Sequence, residues 1–293
     1  MTKVDCVADV RAVLGEGPLW DASRNLVWWV DIKGRALHRH DVISGTNESQ
    51  PLGFRLTAIG LDTQGGLIGC GDPGFVQLAI DEPTLHVSVA MVLGRIDEPA
   101  GNRFNDGKVD PAGRFWAGTM DDAEERASGV LYRFDTAAAP VAIRTDIMVP
   151  NGPAFASPEI MYHTDSARQS IARTMLDAAG NVIDERVFAQ FTPDQGYPDG
   201  MTVDVDGYLW IAFWDGWCVR RLSPAGDIVT EIDLPVRRPT CPVFGGPALD
   251  RMFVTSATVG LDAEALAAQP MAGGLLSFDP GVRGVAPARF GRR

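Results

Sequence analysis

The chain has 293 residues, 45% of them hydrophobic and 22% charged, a composition that fills a large core and excludes a disordered chain. Its 26 Lys and Arg are outnumbered by 38 Asp and Glu, for a formal charge of −12 with no basic run, which excludes nucleic acid as a partner because phosphates must be met by clustered cations. No apolar run approaches the roughly 20 residues that cross a bilayer, and the opening MTKVDCVADVRAVLGEGP has no hydrophobic signal core, so the expectation is a cytoplasmic protein that does not enter membranes.

The first predicted element is a strand in KVDCVADV, residues 3 to 10, which has no partner nearby in the chain. Six segments of one pattern follow, each a turn leading into an apolar, β-rich strand: DASRNLVWWVD, DTQGGLIGCGD, DPAGRFWAGTM, ASPEIMYHTDS, DVDGYLWIAFW and ALDRMFVTSAT. Aligning Val27, Leu67, Phe115, Met161, Leu209 and Met252 gives a repeat of roughly 40 to 48 residues, the length of a four-stranded propeller blade. Short strands precede the turns (FRLTAIGLD, NDGKVD, GMTVD), and further strands follow them (GRALHRHD, GFVQLAID, GVLYRFD, SIARTMLD, CVRRLSP, GGLLSFD). Only DAEALAAQ, residues 262 to 269, reads as helix, which argues against a sheet with crossover helices. The pattern predicts an all-β, six-bladed propeller of four-stranded antiparallel blades, one domain over residues 1–293. The N-terminal strand is expected to close the ring by pairing in the last blade near GGLLSFD, which leaves few exposed sheet edges.

Four Gly-, Pro- and Asn-rich stretches lie just upstream of the turns in units one, three, four and five: GEGPLW, GNRFNDGKVD, VPNGPAF and YPDGMTVD. Each carries an oxygen-bearing side chain, respectively Glu16, Asn105, Asn151 and Asp199, and their matched places predict that the four converge at one end of the central channel. Carboxylates and amides are hard donors suited to one divalent cation such as calcium, magnesium or manganese, with zinc and ferrous iron possible. Arg103 lies two residues from Asn105 on an extended stretch and shares its side. Taken singly, Asn and Asp beside Gly are ordinary turn residues, and the alignment is what sets these apart. His163, Trp28, Trp29, Trp116 and Trp210 read as packing residues, DVDG at 204–207 as a β-turn, and Cys6, Cys70, Cys218 and Cys241 as reduced thiols.

GEGPLW, RFNDGKVDPAGRFWAGTM, PNGPAF and YPDGMTVDVDGYLWIA, in this order and spacing, resemble the signatures of the SMP-30/gluconolactonase/regucalcin family over almost the whole chain. The resemblance implies a six-bladed β-propeller holding one divalent cation at the channel mouth, with Glu16, Asn151 and Asp199 as ligands and Asp199 doubling as general base. It implies substrate contacts from Arg103 and Asn105, and places the acidic loop DDAEERASG, residues 121 to 129, as a lid with Asp121 and Asp122 as further candidates. The implied reaction is hydrolysis of a sugar-acid lactone (xylono-, arabino-, glucono- or a modified gluconolactone) to the aldonic acid. Two other classes stand beside it: a non-catalytic calcium-binding regulatory protein of the regucalcin type, and a propeller interaction scaffold. A monomer is the default expectation, with an oligomer left open, because a sequence shows no long exposed apolar patch.

Overall fold

A computed structural model describes residues 2–82, 84–136 and 138–291. Six antiparallel sheets form a closed ring, each contributing its first strand to the channel: Gly15–Asp21, Leu56–Asp62, Asn102–Val109, Pro150–Ser157, Tyr197–Val203 and Pro239–Gly245. In blades one to five the strands run outward in chain order, and burial falls from the channel to the rim. In blade one the innermost strand is buried throughout, whereas the outermost, Asn47–Pro51, is almost wholly exposed. Inner strands packed on both faces read as continuous apolar runs such as LWIAFW rather than as alternation. The chain between the second and third strands of blade six, Arg251–Ser256 and Leu275–Phe278, includes the short helix Ala263–Ala268, capped by the Asp262 side chain.

Closure follows the expectation. Asp5–Ala8 pairs antiparallel with Leu275–Phe278, Asp5 opposite Ser277 and Cys6 opposite Leu276, and supplies the outer strand of blade six. Chain ends thereby lock the ring, and aromatic clusters fill the wedges between blades. Phe75 of blade two meets Phe104 and Phe134 of blade three at centroid distances of 5.1 and 4.8 Å.

One departure from uniform four-stranded blades lies at the other chain end. Residues 283–291 leave blade six, bridge Gly284 to Asp204 of blade five, and pair Arg289–Phe290 parallel to Leu61–Asp62 as a fifth strand on blade two. This segment crosses the turn end of the channel, and Val285 to Ala288 wall a cavity of about 110 Å³ inside it. The crossing is tight, since a Cβ on Gly284 would fall 2.1 Å from the Phe244 ring. Its sequence carries no strand alternation, and its partners are blade surfaces distant in the chain, so nothing local announces it.

The two ends of the inner strands differ in construction. At the turn end, Asp21, Asp62, Asp110 and Asp204 each accept backbone N–H groups of the tight turn that follows. At the opposite end every inner strand shifts register by a bulge, between Glu16 and Leu19, Leu56 and Ala58, Phe104 and Gly107, Asn151 and Ala154, Pro198 and Met201, and Pro239 and Pro242. A bulge re-aims side chains relative to a regular pleat. Six of them at one level of the ring make a constricted mouth.

Candidate active site at the channel mouth

Glu16, Asn105, Asn151 and Asp199 all lie at the bulges, as their positions in the repeats predict, but their phase differs by one residue. Glu16 and Asn151 are the last paired residues before their bulges, while Asn105 and Asp199 are the first residues inside theirs. The extra residue in the strand lets both positions reach one space. All four line a cavity of about 510 Å³ together with Arg103, Ser166, Tyr197, Trp214 and apolar walls that include Leu14, Met120 and Val259.

The polar side chains form a belt across blades three to five. Arg103 Nη1 donates to Asn105 Oδ1 at 2.7 Å, Asn105 Nδ2 donates to Asn151 Oδ1 at 2.9 Å, Asn151 Nδ2 donates to Ser166 Oγ at 2.9 Å, and Ser166 Oγ donates to the carbonyl of Pro198 at 2.6 Å. Each amide is therefore oriented by its neighbour, and the belt ends at the residue before Asp199. Arg103 is anchored from behind by Asp122 at 2.5 Å, which Arg55 also holds at 2.8 Å.

Burial sets the electrostatics. Glu16 and Asp199 are each 5% exposed. Desolvation drives the Asp199 carboxyl well above the usual carboxylate range, and the charges of Glu16 and Asp106 push it further. Glu16 is raised in the same way, by burial first and Asp106 second, against a bond from the Gly17 N–H and the charges of Arg103 and Lys108. Asp106 is lifted to about 6 by burial, while its two oxygens accept the N–H groups of Gly107 and Gly152 at 2.7 and 2.8 Å.

Three buried side-chain polar atoms lack a hydrogen-bond partner among the described residues, Trp28 Nε1, His38 Nε2 and Asp199 Oδ1. Only the last belongs to a carboxylate, and it sits in the cavity wall. An unpartnered carboxylate oxygen beside a second buried carboxylate and an amide oxygen is a donor set that fits a hard divalent cation, which would remove the mutual repulsion. Among the described residues no three His, Cys, Asp or Glu side chains gather to hold a metal ion, and the candidate donors at the mouth are two carboxylates and an amide.

The structure does not bring Asp121 into the cavity wall. Its carboxylate is committed to the acidic loop, where it accepts Arg126 Nη2 at 2.6 Å and the Glu125 N–H at 3.1 Å, and Arg126 holds it below the usual carboxylate range. Glu124, held at φ 59°, lines the cavity from this loop instead. Side chains that local patterns did not single out include Ser166, Lys33, Tyr197, Trp214 and Arg238. Ser166 was detectable only as the polar residue closing YHTDS; Tyr197 opens YPDGMTVD and Trp214 closes the strand LWIAFW, where each reads as packing, and Lys33 and Arg238 lie outside the strands with no shared motif. His163 lies in blade four away from the mouth, bonded to Glu185 at 3.0 Å. Asp204 organises its turn, and all four cysteines are free thiols, three of them buried. No helix among the described residues is long and apolar enough to cross a membrane.

Residues 14–258 match the family model described as SMP-30/Gluconolactonase/LRE-like region. The chain is 36% identical to 6-deoxy-6-sulfogluconolactonase of Pseudomonas putida over 97% of both chains, and 34% identical to regucalcin of Gallus gallus over 98% of both. A solved structure of a calcium-binding protein, regucalcin, from Agrobacterium tumefaciens superposes with a TM-score of 0.90 at 28% identity, covering 99% of this chain and 97% of that one. The ring of six blades, the signature motifs at its mouth and these full-length matches lead to one assignment: the chain belongs to the SMP-30/gluconolactonase/LRE-like family.

Proposed function

We propose that this lactonase-type enzyme hydrolyses the lactone of a sugar acid to the open hydroxy acid, with Glu16, Asn151 and Asp199 holding one divalent cation and Asp199 serving as general base. The observation that carries the reading is the Asp199 carboxylate, buried, unpartnered at Oδ1, and placed beside Glu16 in the wall of a cavity large enough for a sugar ring. A cation bound by these groups would supply Lewis acidity toward the lactone carbonyl oxygen. The chain's own residues account for the rest. Asp199 takes a proton from the attacking water as the water oxygen bonds to the carbonyl carbon. The ring C–O bond then breaks, and the departing ring oxygen takes up a proton. Arg103, held by Asp122 and Asn105, presents a fixed guanidinium to the sugar oxygens, and the Ser166 bond keeps the Asn151 amide from turning. Leu14, Met120 and Val259 give the cavity an apolar wall against which a sugar ring can pack.

A calcium-binding regulatory role is the second reading, and the regucalcins among the relatives favour it. Turnover separates the two. Proton release in weak buffer is followed over a panel of γ- and δ-aldonolactones, with chelator-stripped protein compared with protein restored by each divalent cation. Metal-restored hydrolysis of at least one lactone above the spontaneous rate is expected; tight metal binding with no acceleration on any of them leaves the binding protein.

A further inference from the structure

The cavity has a second chemical pole that the hydrolytic step does not use. Arg238, entering blade six, and Lys33, in the turn after the second strand of blade one, line the same wall on neighbouring blades. Lys33 is exposed and makes no ion pair among the described residues. Arg238 is built in. Its Nε donates to Asp215 at 2.8 Å, Nη1 donates to the Val259 carbonyl, and the guanidinium stacks over Trp214 at 4.7 Å. A side chain at position 260 would collide with it, since a Cβ on Gly260 falls 2.5 Å from Nη1. Nη2 has no hydrogen bond to the described residues. Asp215 does not neutralise this side, because the same oxygen also pairs with Arg237 at 2.9 Å, so one carboxylate serves two guanidiniums. By ring order, blade six faces blade three, so Arg238 stands across the mouth from Arg103, whose charge Asp122 already meets.

We infer that this wall is a subsite for an oxyanion carried on the far end of the lactone, a sulfonate, phosphate or carboxylate. A preorganised guanidinium with a free N–H edge beside an unpaired ammonium suits tetrahedral or planar oxyanions, and an uncharged sugar terminus leaves Lys33 without a counter-charge and Arg238 sharing one carboxylate with Arg237. The inference rests on the lactone reading and narrows its substrate class.

The test compares metal-loaded enzyme on gluconolactone and on the same lactone carrying phosphate, sulfonate or carboxylate at its terminal carbon. At least one charged lactone should exceed the neutral one in kcat/KM by about tenfold, the scale of a charge-assisted hydrogen bond. The best of the three arms identifies the oxyanion. Arg238→Met and Lys33→Glu should each cut the charged-to-neutral ratio, mainly through KM, and raising the ionic strength should do the same. Lys33 is exposed, so its variant reports even where Arg238→Met disturbs packing. A ratio near one, or a high ratio that neither substitution changes, overturns the subsite while leaving lactone hydrolysis standing. No turnover of any lactone removes the hydrolytic reading and the subsite with it.

Discussion

Two aspartates at the ends of one strand show how this ring separates structure from chemistry. Asp204 closes the inner strand of blade five at the turn end, buried, with every lone pair engaged: Oδ1 accepts the N–H groups of Asp206 and Tyr208, and Oδ2 accepts Trp210 Nε1 and Arg221 Nε at 2.9 and 2.8 Å. Asp199, at the mouth end, is buried to a similar degree and has Oδ1 unpartnered, with desolvation first and then the charges of Glu16 and Asp106 raising its proton affinity. Blades one and three repeat the spacing but not the contrast: Glu16 and Asp21, and Asn105 and Asp110, are again five residues apart, but Glu16 accepts the Gly17 N–H and the Asn105 amide is bonded at both its oxygen and its nitrogen. A buried carboxylate costs free energy unless its partners replace water. The turn end supplies those partners from the protein, and at the mouth Asp199 Oδ1 has none among the described residues.

Exchanging the charges at the two ends is the most forceful way to break this comparison. Asp199→Asn should lower kcat by about 10³-fold, the scale of a lost general base, while the thermal midpoint of metal-free protein stays level or rises because a desolvated, repelled carboxyl is gone. Asp204→Asn should do the opposite. It strips charge from a hub that holds an indole, an arginine and two turn amides, costing about 2–3 kcal/mol of stability, with turnover per folded molecule retained. Paired melting and steady-state kinetics on the two variants check this; an Asp199→Asn enzyme with near wild-type turnover and metal bound removes the base assignment.

Ligand removal comes next in size. Metal saturation should stabilise the wild type by about 2.7 kcal/mol at a hundredfold excess over Kd, seen as a rise in Tm that chelator reverses. Glu16→Gln and Asp199→Asn should lose most of that rise, and Asp204→Asn should keep it. Equal metal-induced shifts in all three place the cation elsewhere. Ser166→Ala should act more weakly, lowering kcat roughly tenfold and stability by about 1 kcal/mol, because the Asn151 amide and the Pro198 carbonyl each lose a partner. Ser166→Thr, which retains the hydroxyl, should recover part of the rate.

The same contrast explains how much of the molecule was legible in the chain. Blade number follows from the turn and the apolar run after it, a local signal repeated six times and marked by an Asp in four of the blades, and ring closure follows from an N-terminal strand with no partner nearby in the chain. Glu16, Asn105, Asn151 and Asp199 stand out because the bulges fall at one level of each repeat, although the one-residue offset between the pairs depends on strand register. Ser166 and Arg238 gain their roles from neighbours on other blades, and Asp121 looked like a site residue because acidity is visible in a sequence while its bond to Arg126 is not. The C-terminal crossing of the channel is long-range pairing by residues with no strand pattern, and its partners lie on blades two and five.

Glu185 offers the finest test, because it is a committed carboxylate outside both channel ends. It accepts from His163 at 3.0 Å and Thr174 at 2.9 Å and pairs with Arg144, and the bond from His163, ahead of the other contacts, lowers it from an ordinary 4.5 to about 2. A depressed folded-state value contributes stability that is fully present above the unfolded value and is lost as pH falls from about 4.5 toward about 2. With its side chain 28% exposed, solvent screening limits the contribution to about 1 kcal/mol. Chemical denaturation across that pH window should therefore show the wild type losing stability faster than Glu185→Gln, with the two curves converging at the acid end. Parallel curves through the window assign the acid sensitivity to other carboxylates and remove Glu185 from the set whose partners the protein itself provides.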